Sequence, residues 1–242
     1  LDNVIDGFHE GELVVVGARP SQGKTALMMN MVEWSNEWEQ QPLILSLETL
    51  TDQIVKRWVT LKTGISKKQL DEANFTFEQR EKIQRVQIHG SGKFYVEDCA
   101  GKSAITLGNI TSQITFYHKR HGTKLFFIDY LQKIRCKAPD RRNEVAEVIG
   151  ALQHLCLNHQ ICIVALAQLG RGAGTDRRPA MSDLKEAGEI EQDAEKILLI
   201  HRPEWDEDLE WDDGEIVVAK NKNGATGICS TSYHRQEMRF QF

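Results

Sequence analysis

The chain has 242 residues, 40% of them hydrophobic and 27% charged, with a formal net charge of −5. That length supports one large domain with a substantial core, or two small domains, and the balance is that of an ordinary globular protein. No apolar run approaches the roughly 18–20 residues needed to span a bilayer, so no membrane partner is expected, and no signal peptide is read at the start.

The chain opens in "LDNVIDGFHEGE", without an initiating Met, and reads as a fragment or a processed piece. "ELVVVG" (12–17) is the first buried strand, rich in branched residues. A helix is expected over 24–38, where Leu27, Met28, Met29, Met31, Val32, Trp34 and Trp38 make it apolar nearly all round, as in a core helix. "PLILSLE" (42–48) is the next strand, followed by helices over 51–62 and 76–88. "KFYVED" (93–98), a helix over 103–120 and "KLFFID" (124–129) continue the series. A helix over 143–159 carries a stripe of Val145, Val148, Ile149, Leu152, Leu155 and Cys156, with Glu144, Glu147 and Gln153 pointing elsewhere. "ICIVALAQ" (161–168) and "KILLIH" (196–201) complete the apolar strands. Alternating strands and helices imply an α/β fold with a mainly parallel sheet flanked by helices. "EIVVAK" (215–220) and "GICSTSYH" (227–234), joined through "NKNGAT", read instead as a C-terminal antiparallel hairpin at one edge.

Two compositional features bear on partners. "EWDEDLEWDD" (204–213) carries seven carboxylates and no Lys or Arg, and without it the chain would bear a small net positive charge. The acidity is local and does not exclude a basic groove elsewhere. The segment reads as a solvated surface loop, with a docking patch for a basic partner as the alternative. Five cysteines, at 99, 136, 156, 162 and 229, form no CxxC pair and suit a reduced cytosolic protein. In "HLCLNHQIC", positions two apart on a helix point about 200° away from each other, so His154 and Cys156 do not share a metal. Buried structural cysteines are expected instead.

The chemistry begins after the first strand. Residues 18–25, "ARPSQGKT", fit the phosphate-loop pattern with Ala18 where the stricter form has Gly, and they open a helix as that motif requires. Arg19 and Pro20 lead into Ser21, Gln22, Gly23 and Lys24, whose N–H groups converge on a β-phosphate at the positive end of the helix that continues through Ala26. Gly23 allows the close approach, Lys24 neutralises β/γ charge, and the Thr25 hydroxyl is a ligand for Mg²⁺. Nucleotide binding is therefore read from strand, loop and helix together.

"KLFFID" ends an apolar strand in Asp129, the candidate second Mg²⁺ carboxylate. Tyr130 follows it, so a water-activating acid is not beside that Asp. Glu48, at the end of "PLILSL", is the candidate base, on the expectation that its strand lies next to the first. A helix-capping role is the alternative. Gln168 ends "ICIVALAQ" in the same way and is the candidate γ-phosphate sensor. "LGRGAGTDRRPAMSDLKEAGEIEQDA" (169–194) follows it, rich in Gly and Arg before turning helical. Arg171, Arg177, Arg178 and Lys185 there suit a phosphate backbone, unless the loop is only solvated.

Together these stretches resemble the ATPase domain of DnaB-type replicative helicases, of phage or bacterial origin, which have a RecA-like P-loop core. The resemblance runs in order through "LDNVIDGFHEGELVVVGARPSQGKTAL", "LSLETLTDQIVKRW", "FFIDYLQ", "ALAQLGR", "RRPAMSDLKEAGEIEQDAEKILLIHRPE" and "EIVVAKNKNGATG". It implies that residues 1–242 form one motor domain, without the family's amino-terminal domain and most of its linker. It also implies homo-hexamers that bind ATP with Mg²⁺ between subunits, thread single-stranded DNA in the 5′–3′ sense and meet a primase and a helicase loader. The setting would be the cytoplasm of a bacterial cell or phage-infected host. By position, Lys24 and Thr25 hold phosphates and Mg²⁺, Glu48 is the base, Asp129 the metal carboxylate and Gln168 the sensor. Arg57 falls on a phosphate-coupling arginine, and Lys185, Glu186 and Gly188 on the DNA-contacting loop.

One departure stands out. The family's "KxRxG", which reaches the neighbouring subunit, appears as Lys220-Asn221-Lys222-Asn223-Gly224. Lys222 stands where the arginine finger is expected, and a lysine delivers charge without the planar fork. Arg202 and Arg235 are the alternatives. A recombination or branch-migration ATPase and a nucleotide-gated scaffold ring for replication partners are the competing functions, with a small-molecule kinase more distant.

Overall fold

Strand pairing decides where the functional loops gather. The computed structural model describes residues 1–37, 41–90, 93–100, 105–170, 177–184, 187–202 and 210–242. Its strands are β1 (Leu13–Ala18), β2 (Leu43–Ser46), β3 (Tyr95–Asp98), β4 (Leu125–Asp129), β5 (Cys162–Gln168), β6 (Lys196–His201), β7 (Trp211–Asn221), β8 (Gly227–His234) and β9 (Arg239–Gln241). They form one sheet in the order β3-β2-β4-β5-β1-β6-β7-β8-β9. The six strands from β3 to β6 in that order are parallel, and β7, β8 and β9 add antiparallel pairs.

The helices are α1 (Asp2–Ile5), α2 (Lys24–Glu37), α3 (Thr51–Thr63), α4 (Lys67–Glu72), α5 (Phe77–Gly90), α6 (Leu107–His121), α7 (Arg141–His159) and α8 (Ala187–Asp193). Alternation along β1 divides the core. Leu13 and Val15 face one layer with Ile110, Ile114, Val148 and Leu152 of α6 and α7. Val14 and Val16 face the other, with Leu27, Met28 and Val32 of α2 and Ile54 and Trp58 of α3. The apolar α2 is buried from Ala26 to Val32 and half-buried on either side, with Trp38 of the expected helix outside the described residues.

Several expectations are corrected. β2 ends at Ser46, so Glu48 lies just beyond its strand and not at its end, and β2 is not next to β1: β4 and β5 lie between them. Short α4 and edge strand β9 are additions to the expected elements; α4 rests on a Ser66–Gln69 capping box. Helix α7 begins earlier than 143 because Asp140 caps it through Asn143 N–H at 2.9 Å. Its Glu144 is buried, not outward, and accepts from Arg135, Arg141 and Cys136 N–H. The acidic stretch is not a loop throughout: β7 starts at Trp211, and Asp212 is 2% exposed. Its residues 203–209 lie outside the described residues.

Cys99, Cys156 and Cys162 are buried and Cys136 and Cys229 half-buried. Burial pushes the Cys156 thiol up to about 12, which suits a packing role. His154 is exposed while Cys156 faces the core. No helix among the described residues is long and apolar enough to cross a membrane.

Candidate nucleotide site

Parallel strands deliver their carboxyl ends to one edge of the sheet, and the following loops collect there. At that edge Ala18 pairs with Gln168, and Leu169 N–H donates to Ala18 O at 3.0 Å. The chain then makes a tight loop into α2, with Ser21 and Gly23 at φ of 64° and 91°. The positive φ favours glycine, and a Cβ on Gly23 would lie 3.1 Å from Phe240 Cζ, a contact that the ring would have to relieve. The loop leads into a 14-residue helix, and the first N–H groups of such a helix have no partner within it and suit a phosphate.

Lys24 is half-buried, its Nζ 4.3 Å from the centre of the Tyr130 ring. Burial holds its pKa below the usual lysine value, while Asp129 and Glu48 pull it back up. The Tyr130 hydroxyl is pushed up by burial and then by the same two carboxylates. Asp129, 2% exposed at the end of β4, accepts from Thr25 Oγ1 at 2.8 Å. A hydroxyl and a carboxylate meeting at a phosphate loop are hard oxygen donors suited to Mg²⁺.

Glu48 reaches this place through β4 and not through β1. Ser46 is in register with Asp129, Leu47 N–H donates to Asp129 O at 2.8 Å, and Glu48 follows in an exposed bend. Gln168 is gripped by Gln132, which accepts from its N–H at 3.2 Å and donates to its carbonyl at 3.4 Å. Gln132 lies in the short turn after Asp129, so the ends of β5 and β4 are tied. Arg57, half-buried on α3, lies close enough to Tyr233 for its charge to act on that phenol.

The loop after β5 is pinned at its base by the Leu169–Leu184 bridge and by Gly170 N–H on Asp183 O at 2.8 Å. Arg19, 9% exposed, donates to Arg177 O at 3.1 Å and joins the phosphate loop to this segment. Arg177 pairs with Asp183 at 2.6 Å, and Arg178 forks onto Glu215 at 2.6 and 2.7 Å, both with their side chains about half exposed. Gly188 is exposed in the first turn of α8. Arg171, Lys185 and Glu186 lie outside the described residues.

Lys220 and Lys222 stand apart from all of this. Val14 pairs with Lys196, and Lys196 with Asn221, so these lysines flank the start of β1, at the far edge of the sheet from the loop. At about 3.3 Å per residue the six residues of β1 separate the two edges by about 20 Å. Arg202 and Arg235, the alternatives for the finger, both close on Asp212. Arg202 N–H also donates to Gln22 Oε1 at 2.9 Å, which sets it against its own phosphate loop, and its guanidinium lies 4.2 Å from the Tyr233 ring centre.

Sequence reasoning passes over Gln132, Asp212, Phe240 and the stacking role of Tyr130. Gln132 meets Gln168 36 residues further on and Phe240 N–H donates to Asn30 Oδ1 across 210 residues, and no local pattern marks such pairs.

A phosphate loop after a central parallel strand, with an Asp from a nearby strand meeting its Thr, defines a nucleotide-binding P-loop protein of RecA-like fold. The chain belongs to the DnaB-like helicase C terminal domain family, whose model matches residues 1–242. It is 32% identical over 250 residues to the replicative DNA helicase DnaC of Bacillus subtilis (strain 168), covering 99% of this chain and 54% of that protein. It is 31% identical over 284 residues to the replicative DNA helicase DnaB of Helicobacter pylori (strain J99 / ATCC 700824), covering 100% and 58%. The chain thus spans little more than half the length of these curated relatives. Among solved structures, one of an ATPase domain superposes with a TM-score of 0.88 at 26% identity, covering 99% of this chain and 87% of that one. A DnaB-like replicative helicase described with its primase interactions gives 0.87 at 25%, covering 99% and 59%.

Proposed function

We propose that residues 1–242 act as one ATP-driven motor unit of a replicative DNA helicase, working in a hexameric ring on single-stranded DNA. The observation that carries this reading is the division of the site between two edges of the sheet. Lys24, Thr25, Glu48, Asp129 and Gln168 gather at one edge, while Lys220 and Lys222 stand at the other, about 20 Å away. Two such edges complete one site only when a second copy brings its lysines to the first copy's phosphates, and repetition of that head-to-tail contact closes a ring.

In this reading the N–H groups of residues 21–24 cradle the phosphates, and Ala18, Arg19, Pro20 and Ala26 shape the loop around them. Thr25 and Asp129 would hold Mg²⁺, which supplies charge neutralisation at the β- and γ-phosphates. Glu48 orients the attacking water and accepts its proton. Gln168 reads the γ-phosphate and passes its loss to the segment after β5, where Arg171, Arg177, Arg178, Lys185, Glu186 and Gly188 meet the DNA backbone. Arg57 couples to the phosphates. Contacts of that kind are to the backbone and largely independent of sequence. A primase and a helicase loader are the protein partners, in the cytoplasm of a bacterial cell or phage-infected host.

The test is ATP turnover with and without single-stranded DNA, together with unwinding of a forked duplex. Turnover is expected to rise with DNA and to drive 5′–3′ unwinding. Glu48→Gln is expected to cut turnover by about 10²–10⁴-fold while sparing ATP binding. Strand exchange without unwinding would favour a recombination ATPase, and negligible turnover with DNA present would favour a scaffold ring.

A further inference from the structure

Glu195 sits where three elements meet. Its N–H donates to Leu13 O at 2.8 Å at the start of β1, and its carbonyl accepts from Lys222 N–H at 3.0 Å. Its backbone is thereby held from both sides, and its carboxylate is aimed: Oε1 lies 2.6 Å from Lys222 Nζ. The carboxylate is the more buried member of the pair, with side-chain exposures of 18% for Glu195 and 36% for Lys222. The lysine therefore extends outward from a fixed anion.

The companion lysine is held by the same corner. Lys220 Nζ donates to Ala194 O at 2.7 Å and to Glu191 O, capping the carboxyl end of α8 with positive charge. Burial and then the neighbouring Lys222 hold the Lys220 pKa down, while Glu195 works against them. Glu195, with Glu191 and Asp193 beyond it, thus moderates the repulsion between two ammonium groups two residues apart.

A free lysine loses up to about 2 kcal/mol of rotamer entropy when placed, and it lacks the guanidinium fork that preorganises an arginine. We propose that Glu195 is a positioning residue for Lys222: it holds the ammonium by one donor and leaves the other two for the γ-phosphate of the adjoining subunit. This rests on the reading of Lys222 as acting across the subunit boundary. The Lys220 cap ties the same corner to α8, the helix that follows segment 185–186.

The experiment compares Lys222→Ala, Glu195→Gln, the double variant and Glu195→Asp in the assembled protein on single-stranded DNA, with kcat and KM for ATP measured separately and ring mass checked. Glu195→Gln is expected to lower kcat about tenfold with KM unchanged, since one charged hydrogen bond is lost. Glu195→Asp should retain most of the activity, and the double variant should be no slower than Lys222→Ala. An unchanged kcat for Glu195→Gln would overturn the proposal. So would an equal further loss from Glu195→Gln in the Lys222→Ala background, because the two residues would then act independently. Full turnover by Lys222→Ala would instead remove the underlying trans-acting reading, and Glu195 with it.

Discussion

Thr25 Oγ1 donates to Asp129 Oδ2 at 2.8 Å, joining the first turn of α2 to the end of β4 across 104 residues of chain. The contact forms because β4 and β1 flank β5 in one parallel sheet and end at the same edge. It brings together the two oxygen ligands expected for a divalent cation, and it is directly testable.

Asp129→Asn keeps the size of the side chain and an acceptor for Thr25 but removes the charge. Nucleotide affinity in Mg²⁺ is expected to fall to the metal-free level, and turnover by about 10²-fold or more. Titrations with and without Mg²⁺ check this. Equal Mg²⁺ enhancement in variant and parent would exclude Asp129 as the metal carboxylate.

Gly23→Ala places a methyl group at φ of 91° and 3.1 Å from Phe240 Cζ. The left-handed conformation alone costs about 1–2 kcal/mol, and the Phe240 ring must also give way to the new methyl group. Nucleotide binding is therefore expected to weaken by at least about tenfold, read by equilibrium titration. Phe240→Leu in the same chain relieves only the contact, so it should recover part of the loss.

Asp212 joins Arg202 and Arg235, and removing it takes the shared carboxylate from both guanidinium groups. Asp212→Ala is expected to destabilise the fold by about 3 kcal/mol in urea unfolding. The pH dependence has a definite sign. Burial alone would raise this carboxyl, but hydrogen bonds from Arg235 and Arg202 outweigh it and hold it below its ordinary 3.8. The network's contribution is therefore complete above pH 3.8 and is lost as pH falls through the lower folded value. Parent stability should drop below that pH more steeply than that of Asp212→Ala.

Lys196 and Glu12 form a buried pair at 2.5 and 2.6 Å, with side-chain exposures of 2% and 7%. Glu12→Ala strands a lysine beside Gly7 O and is expected to cost about 3–5 kcal/mol. Lys196→Met combined with Glu12→Leu should restore most of that stability, since a matched apolar pair avoids desolvation. Thermal and urea unfolding of the three chains decides it. A double variant as unstable as Glu12→Ala would point to a role for the charges themselves.

Much of the architecture is legible in local pattern. The runs at 13–18, 125–129, 162–168 and 196–201 are strands because each has an apolar interior buried on both faces, with its few polar residues confined to the ends. The hairpin follows from "NKNGAT" between two alternating segments. Glu144 escapes such a reading because a stripe of apolar residues shows which helix face is buried but not which polar neighbour finds partners beneath a loop. Asp212 escapes it for the same reason, hidden among carboxylates that look alike in composition.

By itself the sequence determined the phosphate-loop pattern, the strand endings at Asp129 and Gln168 with Glu48 just beyond a third strand, and the helix that opens after the loop. These depend on residues adjacent in the chain and on short-range backbone geometry. Only the tertiary structure decided that β2 reaches the site past β4, that Gln132 grips Gln168, and that Arg202 turns to its own loop. It also set Lys220 and Lys222 at the opposite edge of the sheet, with Glu195 behind them. Strand order and register bring together groups up to two hundred residues apart, and no spacing along the chain records which strands become neighbours.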